Sequence, residues 1–183
     1  CYHKDNFGSN TGMISPYMIK SLGVKYLIVG HSDNRKEGDN NSVLKNKVTY
    51  ALKNKLKIIF CIGENKKEKK NKLTFRVLKG QLTKVLDRKF DKNNIIVAYE
   101  PIWSIGTGKI PKAKELTKTT NYIKKVLKNI FKTKISPKVL YGGSVESSNI
   151  IQFKTLKEID GFLIGGASKS SKKFIDIIKN YYR

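Results

Sequence analysis

The stretch Ile95-Ile96-Val97-Ala98-Tyr99-Glu100-Pro101 decides the fold class. Five successive apolar positions, rich in β-branched and aromatic side chains, suit a short strand covered on both faces. Runs of the same kind lie at residues 24–29 and 58–62 before it, and at 139–141 and 162–164 after it. Helical patterns fill the intervals. Ser15 as N-cap and Pro16 at the first position open one, which Gly23 closes. Residues 42–55 place Val43, Lys47, Tyr50 and Leu52 around a lysine-rich helix, and residues 73–86 carry Leu78, Leu82 and Leu86 at spacing four. Residues 116–131 set Ile123, Leu127, Ile130 and Phe131 on one face, 149–153 form a short helical turn, and 172–182 group Phe174, Ile177 and Ile178. Strands that alternate with helices predict an α/β fold, with parallel strands joined by helical crossovers. The 183 residues predict one domain, since domains run to about 100–200 residues.

Composition excludes several classes. Lys+Arg number 38 against 14 Asp+Glu, a net charge of +24, and only four of the bases are arginine. A pI near 10.0 is the footprint of a nucleic-acid-binding module. Here, however, the lysines are spread along every helix, and no zinc, helix-turn-helix or aromatic RNA-binding motif accompanies them. No specific nucleic-acid partner is expected, only salt-dependent adhesion to polyanions. The hydrophobic fraction of 39% is too high for a disordered chain. Two cysteines, Cys1 and Cys61, make no disulfide framework and favour a reducing compartment. No apolar run approaches the roughly 20 residues of a membrane span, and residues 1–6 hold no apolar targeting core. A cytoplasmic location is therefore expected. The chain begins with Cys, not Met, and is read as a fragment.

The residues able to do chemistry cluster just after the apolar runs: Gly30-His31-Ser32, Gly63-Glu64, Glu100-Pro101, Gly142-Gly143-Ser144 and Gly165-Gly166-Ala167-Ser168. In a parallel β/α fold these loops share the C-terminal end of the sheet, where ligands bind. The two Gly-Gly pairs offer unobstructed backbone N–H groups to an anion such as phosphate; tight strand-to-helix turns would need the same glycines. Glu100, at the mouth of a buried strand, is either a partly desolvated general base or a solvent-facing acid. His31 is either a hydrogen-bond donor to developing oxyanion charge or a structural residue. Cys61 reads as core. Ser104-Ile105-Gly106-Thr107-Gly108, flanked by Pro101-Ile102-Trp103, suits a lid between hinges or a plain surface loop.

Taken together, Gly30-His31-Ser32-Asp33-Asn34-Arg35, Cys61-Ile62-Gly63-Glu64, residues 98–108, Tyr141-Gly142-Gly143-Ser144-Val145 and Gly165-Gly166-Ala167-Ser168 resemble the triosephosphate isomerase family, in its order and at its spacing. Asn10-Thr11-Gly12, followed by Ile14-Ser15, resembles the family's third loop. The resemblance implies a (β/α)8 TIM barrel, of which residues 1–183 would supply about strands 4–8 and their helices as a single partial domain. It implies interconversion of dihydroxyacetone phosphate and glyceraldehyde 3-phosphate in glycolysis and gluconeogenesis, without metal or cofactor. Glu100 would be the base and His31 the neutral electrophile. Gly106, Ser144, Gly165 and Gly166 would bind the phosphate. Pro101, Ile102, Trp103, Ser104, Ile105, Thr107 and Gly108 would form the lid. Thr11 would lie in a loop of a homodimer.

Departures accompany the resemblance. The family's first strand ends in Asn-x-Lys, whose lysine contacts substrate, and this sequence carries no such segment. Three strands and two helices are expected to be absent, with little activity from the chain alone. Asp33 stands where the family usually has Glu. Met13 and Asn34 stand where it usually pairs Glu with Arg across the dimer interface. Both partners are uncharged here, so neither would be left as a stranded charge. Another phosphate-binding β/α barrel is the alternative that the Gly-Gly loops alone would permit, and the lid segment argues against it. A chain that has lost catalysis and serves only in interactions is a further alternative, against which Glu100, His31 and the phosphate loops count.

Overall fold

The computed structural model describes Cys1 and residues 8–183; residues 2–7, which include most of the N-terminal stretch read above for a targeting core, lie outside the described residues. Five strands, β1 (Tyr26–Val29), β2 (Lys57–Ile62), β3 (Ile95–Tyr99), β4 (Lys138–Tyr141) and β5 (Gly161–Phe162), form one sheet in sequence order. Every pairing is parallel, and Cys61 and Leu140 flank Ala98 across the middle of the sheet. The order never reverses, as it would at the switch point of a doubly wound sheet; it is the wall of a β/α barrel. Among the described residues the wall stays open, with β1 and β5 each paired on one side only.

The helices are α1 (Pro16–Ser21), α2 (Ser32–Lys36), α3 (Asn41–Lys53), α4 (Lys66–Lys70), α5 (Thr74–Val85), α6 (Ala113–Phe131) and α7 (Ser171–Tyr182). Ser15 caps α1 as expected, its side chain accepting from the Met18 N–H. Two short helices, α2 and α4, had no apolar stripe to announce them. His31 caps α2, and α4 is set by a reciprocal cap between Asn65 and Glu68.

One face of the sheet packs on the helices. Phe60, Ile62, Val97 and Val139 are buried there against Leu44, Val48, Leu78, Leu82, Ile123 and Leu127. Burying these side chains contributes about 1.5–3 kcal/mol apiece in transfer free energy. The other face departs from the expectation of burial on both sides. Cys61 and Ala98 are buried, but Ile59, Ile96 and Leu140 are only half-buried, and β1 exposes Tyr26 and Ile28. Among the described residues that face is covered only in part. The helix faces resolve further. On α3 the buried stripe is Leu44, Val48 and Ala51, with Val43, Tyr50 and Leu52 half-buried around it. On α7 Ile177 alone is buried, while Phe174 and Ile178 are exposed.

Candidate active site

All five strand-end loops meet at one end of the sheet. Those after β1, β3, β4 and β5 line a cavity of about 210 Å³, which brings together His31, Glu100, Gly106, Ser144, Gly165 and Gly166. These are the six residues that the resemblance singles out for chemistry and phosphate. A larger basin of about 660 Å³ lies at the N-terminal end of the strands, lined by Lys57, Lys92, Lys124, Lys128, Lys134 and Lys138. No histidine lines it; the carboxylate–histidine pair lies in the smaller cavity.

Glu100 directly follows β3, and its N–H donates to the Ile62 carbonyl at 2.7 Å, which fixes its backbone to β2. Its side chain is buried, and burial raises the carboxyl above its ordinary range. His31 and a hydrogen bond from the Cys61 thiol act in the opposite direction. Burial, then the neighbouring Glu100, push the Cys61 thiol far up, so it stays a protonated donor. Cys61 is thus a core residue, as its place in a strand implied. His31 Nε2 lies 3.7 Å from Glu100 Oε1. Its other nitrogen, Nδ1, accepts from the Asp33 N–H at 3.3 Å as the cap of α2. A backbone amide can only donate, so Nδ1 carries no hydrogen and Nε2 presents one to the cavity. The exposed Asp33 carboxylate comes within 3.5 Å of the same Nδ1; the amide, fixed by the backbone, decides the tautomer.

The two Gly-Gly pairs separate into different roles. A Cβ on Gly142 would stand 2.7 Å from Glu100 Cγ, and one on Gly143 would overlap the Tyr141 hydroxyl and stand 2.7 Å from Ser104 Oγ. Moreover, the Gly142 N–H already donates to the Tyr99 carbonyl at 2.9 Å. This pair makes room for protein groups, a role that neither the anion reading nor the tight-turn reading gives it. Gly165 and Gly166 are different, because nothing lies within 4 Å of a Cβ on either. They open a short 3-10 turn, Gly166–Lys169, whose first N–H groups have no partner within the turn. The expected helical segment is therefore a single turn, and α7 begins only at Ser171.

The segment expected to form a lid packs beside the cavity. Ser144 Oγ donates to the Ser104 carbonyl at 2.8 Å and accepts from the Gly108 N–H at 3.1 Å. Ser104 Oγ lies 3.0 Å from the Tyr141 hydroxyl and is fully buried. Gly106 and Gly108 have φ of +66° and +71°, which side chains with a Cβ rarely adopt. Thr11 sits apart in an exposed turn and does not line the cavity.

Two contributors went unassigned in the sequence. Glu64 follows β2, is buried, and accepts from Trp103 Nε1 at 2.8 Å and from the Tyr99 hydroxyl at 3.2 Å. Burial raises its carboxyl and these donors oppose the rise. Arg35 donates from Nε to the Gly30 carbonyl at 2.8 Å and from Nη2 to the Cys61 carbonyl at 3.1 Å, joining the ends of β1 and β2 beneath His31. Each belongs to a motif quoted above, and that membership was their only signal.

The sequence profile of triosephosphate isomerase matches residues 1–181. The chain belongs to the triosephosphate isomerase family. Curated proteins of that name include one from Thermodesulfovibrio yellowstonii, 37% identical over 177 residues, covering 96% of this chain and 72% of the relative. One from Mycoplasma mobile is 40% identical over 180 residues, covering 97% and 72%. One from the fungus Coprinopsis cinerea is 40% identical over 182 residues, again covering 97% and 72%. The chain thus spans about 72% of the length of these isomerases.

Proposed function

We propose that the cavity carries the reaction for which the family is named, interconversion of dihydroxyacetone phosphate and D-glyceraldehyde 3-phosphate. The observation that carries the proposal is a buried carboxylate 3.7 Å from an imidazole Nε2, in one cavity with the open Gly165-Gly166 backbone. Those amides, Ser144 and Gly106 hold the phosphate. This leaves the three-carbon end against Glu100 and His31. The Glu100 carboxylate takes a proton from the C1 carbon of dihydroxyacetone phosphate, and the C–H electron pair forms the C1–C2 double bond of an enediolate. The His31 Nε2–H donates to the oxygen on which charge develops, and the imidazole relays a proton between the two oxygens. Glu100 then returns its proton to C2, giving the aldehyde. Burial suits both jobs of the carboxyl: its raised pKa makes it a stronger base than a solvated glutamate, and water is kept from the enediolate.

The same reading takes residues 1–183 as one partial barrel domain of a cytoplasmic homodimer, with the Thr11 loop and the exposed Met13 and Ile14 near the subunit contact. No helix among the described residues is long and apolar enough to cross a membrane. A coupled assay on the full protein tests the chemistry. Glu100→Gln should lose about 10³-fold or more in kcat, and His31→Gln should lose kcat by far more than it raises KM. Near-normal turnover in Glu100→Gln would remove the proposal.

A further inference from the structure

One lysine of the run Lys66-Lys67-Glu68-Lys69-Lys70 does not behave as a solvated surface charge. Lys69, on α4, places its Nζ 3.4 Å from the centroid of the Trp103 ring. The same ammonium lies 2.8 Å from Glu115 Oε1, in the first turn of α6. Trp103 belongs to the first hinge of the lid, and α6 is the helix that follows the lid. A single side chain therefore ties both ends of the lid to α4. The indole is held from a second direction by its Nε1–H bond to Glu64 at 2.8 Å. Glu64 is buried and follows β2, so the hinge is referred to the barrel wall through one contact and to the outer helices through the other. Lys69 also keeps company with the lid's outer side: Lys66, Lys70, Thr107 and Lys109 line the same recess around Trp103, of about 540 Å³.

We propose that Lys69 is a positioning residue for catalysis, holding Trp103 in the orientation that goes with the docked lid. The inference rests on the reading of residues 101–108 as a lid over the Glu100 site. Its physical basis is that an ammonium over an indole face is attracted by the ring quadrupole, most strongly when water is partly excluded; Lys69 is 31% exposed. The cation favours the pose in which the ring lies beneath it over any pose that leaves Lys69. The Glu115 carboxylate keeps the ammonium at that height. Ligands that bind the closed site should therefore lose affinity without Lys69, because a fraction of the molecules must first bring the hinge back.

The test uses the full protein labelled with 5-fluorotryptophan, the Trp103 resonance being assigned by its loss in Trp103→Phe. The probe is 2-phosphoglycolate, a phosphate-bearing mimic of the enediolate. Lys69→Met keeps the apolar stem and removes the charge. It should weaken 2-phosphoglycolate about three- to tenfold, lower kcat/KM by a similar factor and shift the Trp103 resonance even without ligand. Lys69→Arg, which also stacks on indole, should restore all three. A merely structural lysine would lower the melting temperature and leave affinity and resonance in place. That result, or wild-type affinity with an unmoved resonance, overturns the proposal. Failure of the isomerase reading shows elsewhere, as full turnover in Glu100→Gln, and the ligand-free resonance still reports on Lys69 in that event.

Discussion

Gly142→Ala perturbs the base without touching it. Gly142 carries no positive φ, so alanine fits its backbone, and its N–H bond to Tyr99 holds that backbone in place. The added methyl would stand 2.7 Å from Glu100 Cγ and 3.2 Å from Oε1. Ordinary contact begins near 3.4 Å, so the Glu100 side chain must retreat by about 0.7 Å. The main chain cannot absorb the movement, because the Glu100 N–H is bound to Ile62 at 2.7 Å and a methyl on Gly63 would already overlap the Glu100 carbonyl. The carboxylate itself therefore shifts. A misplacement of about 1 Å can cost about 10²-fold in rate, so kcat should fall about 10- to 10²-fold, or about 1.4–2.7 kcal/mol. KM should change little, since Gly165 and Gly166 are untouched. Steady-state kinetics in both directions, with thermal unfolding beside them, provide the measurement. A kcat within twofold of the parent in a folded variant would refute the claim that Gly142 is glycine to make room for the base.

The remaining expectations concern charge, lid and phosphate. Burial raises the Glu100 carboxyl above its ordinary 4.5, so the fold binds that proton more tightly than the unfolded chain does. This stabilisation is fully present below about pH 4.5 and is withdrawn as pH rises through the folded value. Glu100→Gln should accordingly melt higher than the parent at pH 8, with the gap closing toward pH 4.5, while the parent's kcat/KM falls on acidification through a pKa above 4.5. Melting curves at the two pH values and a pH–rate profile check both halves. Ser144→Ala removes the hydroxyl that bonds the Ser104 carbonyl and the Gly108 N–H. It should lower kcat/KM about tenfold or more, read by steady-state kinetics. Gly166→Val faces open space, so stability should move by no more than about 0.5 kcal/mol. KM should nevertheless rise about tenfold or more as the side chain enters the phosphate position, and calorimetric titration with inorganic phosphate should show the same loss.

The periodicity of the chain alone specifies five short strands alternating with helices, because strand and helix repeats are local properties of side-chain spacing. The same locality makes the Ser15-Pro16 helix start readable, and it places His31, Glu100 and the Gly-rich stretches after strands. With a parallel sheet assumed, one end of the molecule had to collect them. What the sequence left open was what each group does there. Gly142-Gly143 and Gly165-Gly166 are the same dipeptide, yet the first pair is crowded by Glu100, Tyr141 and Ser104 while the second faces empty space. Glu100 and Ser104, brought in from beyond β3, and the neighbouring Tyr141 ring create that difference. Lys69 and Lys70 are likewise indistinguishable in a lysine run, and it takes Trp103, 34 positions away, to single one out. Glu64 escaped assignment because its partners, Tyr99 and Trp103, come from the next strand and the loop beyond it. The tautomer of His31 was also invisible, since it depends on a backbone amide that points at Nδ1 only once α2 has formed. Spacing along the chain sets what a residue can become, and the groups brought to it across the sheet set its pKa, its hydrogens and the room it has to move.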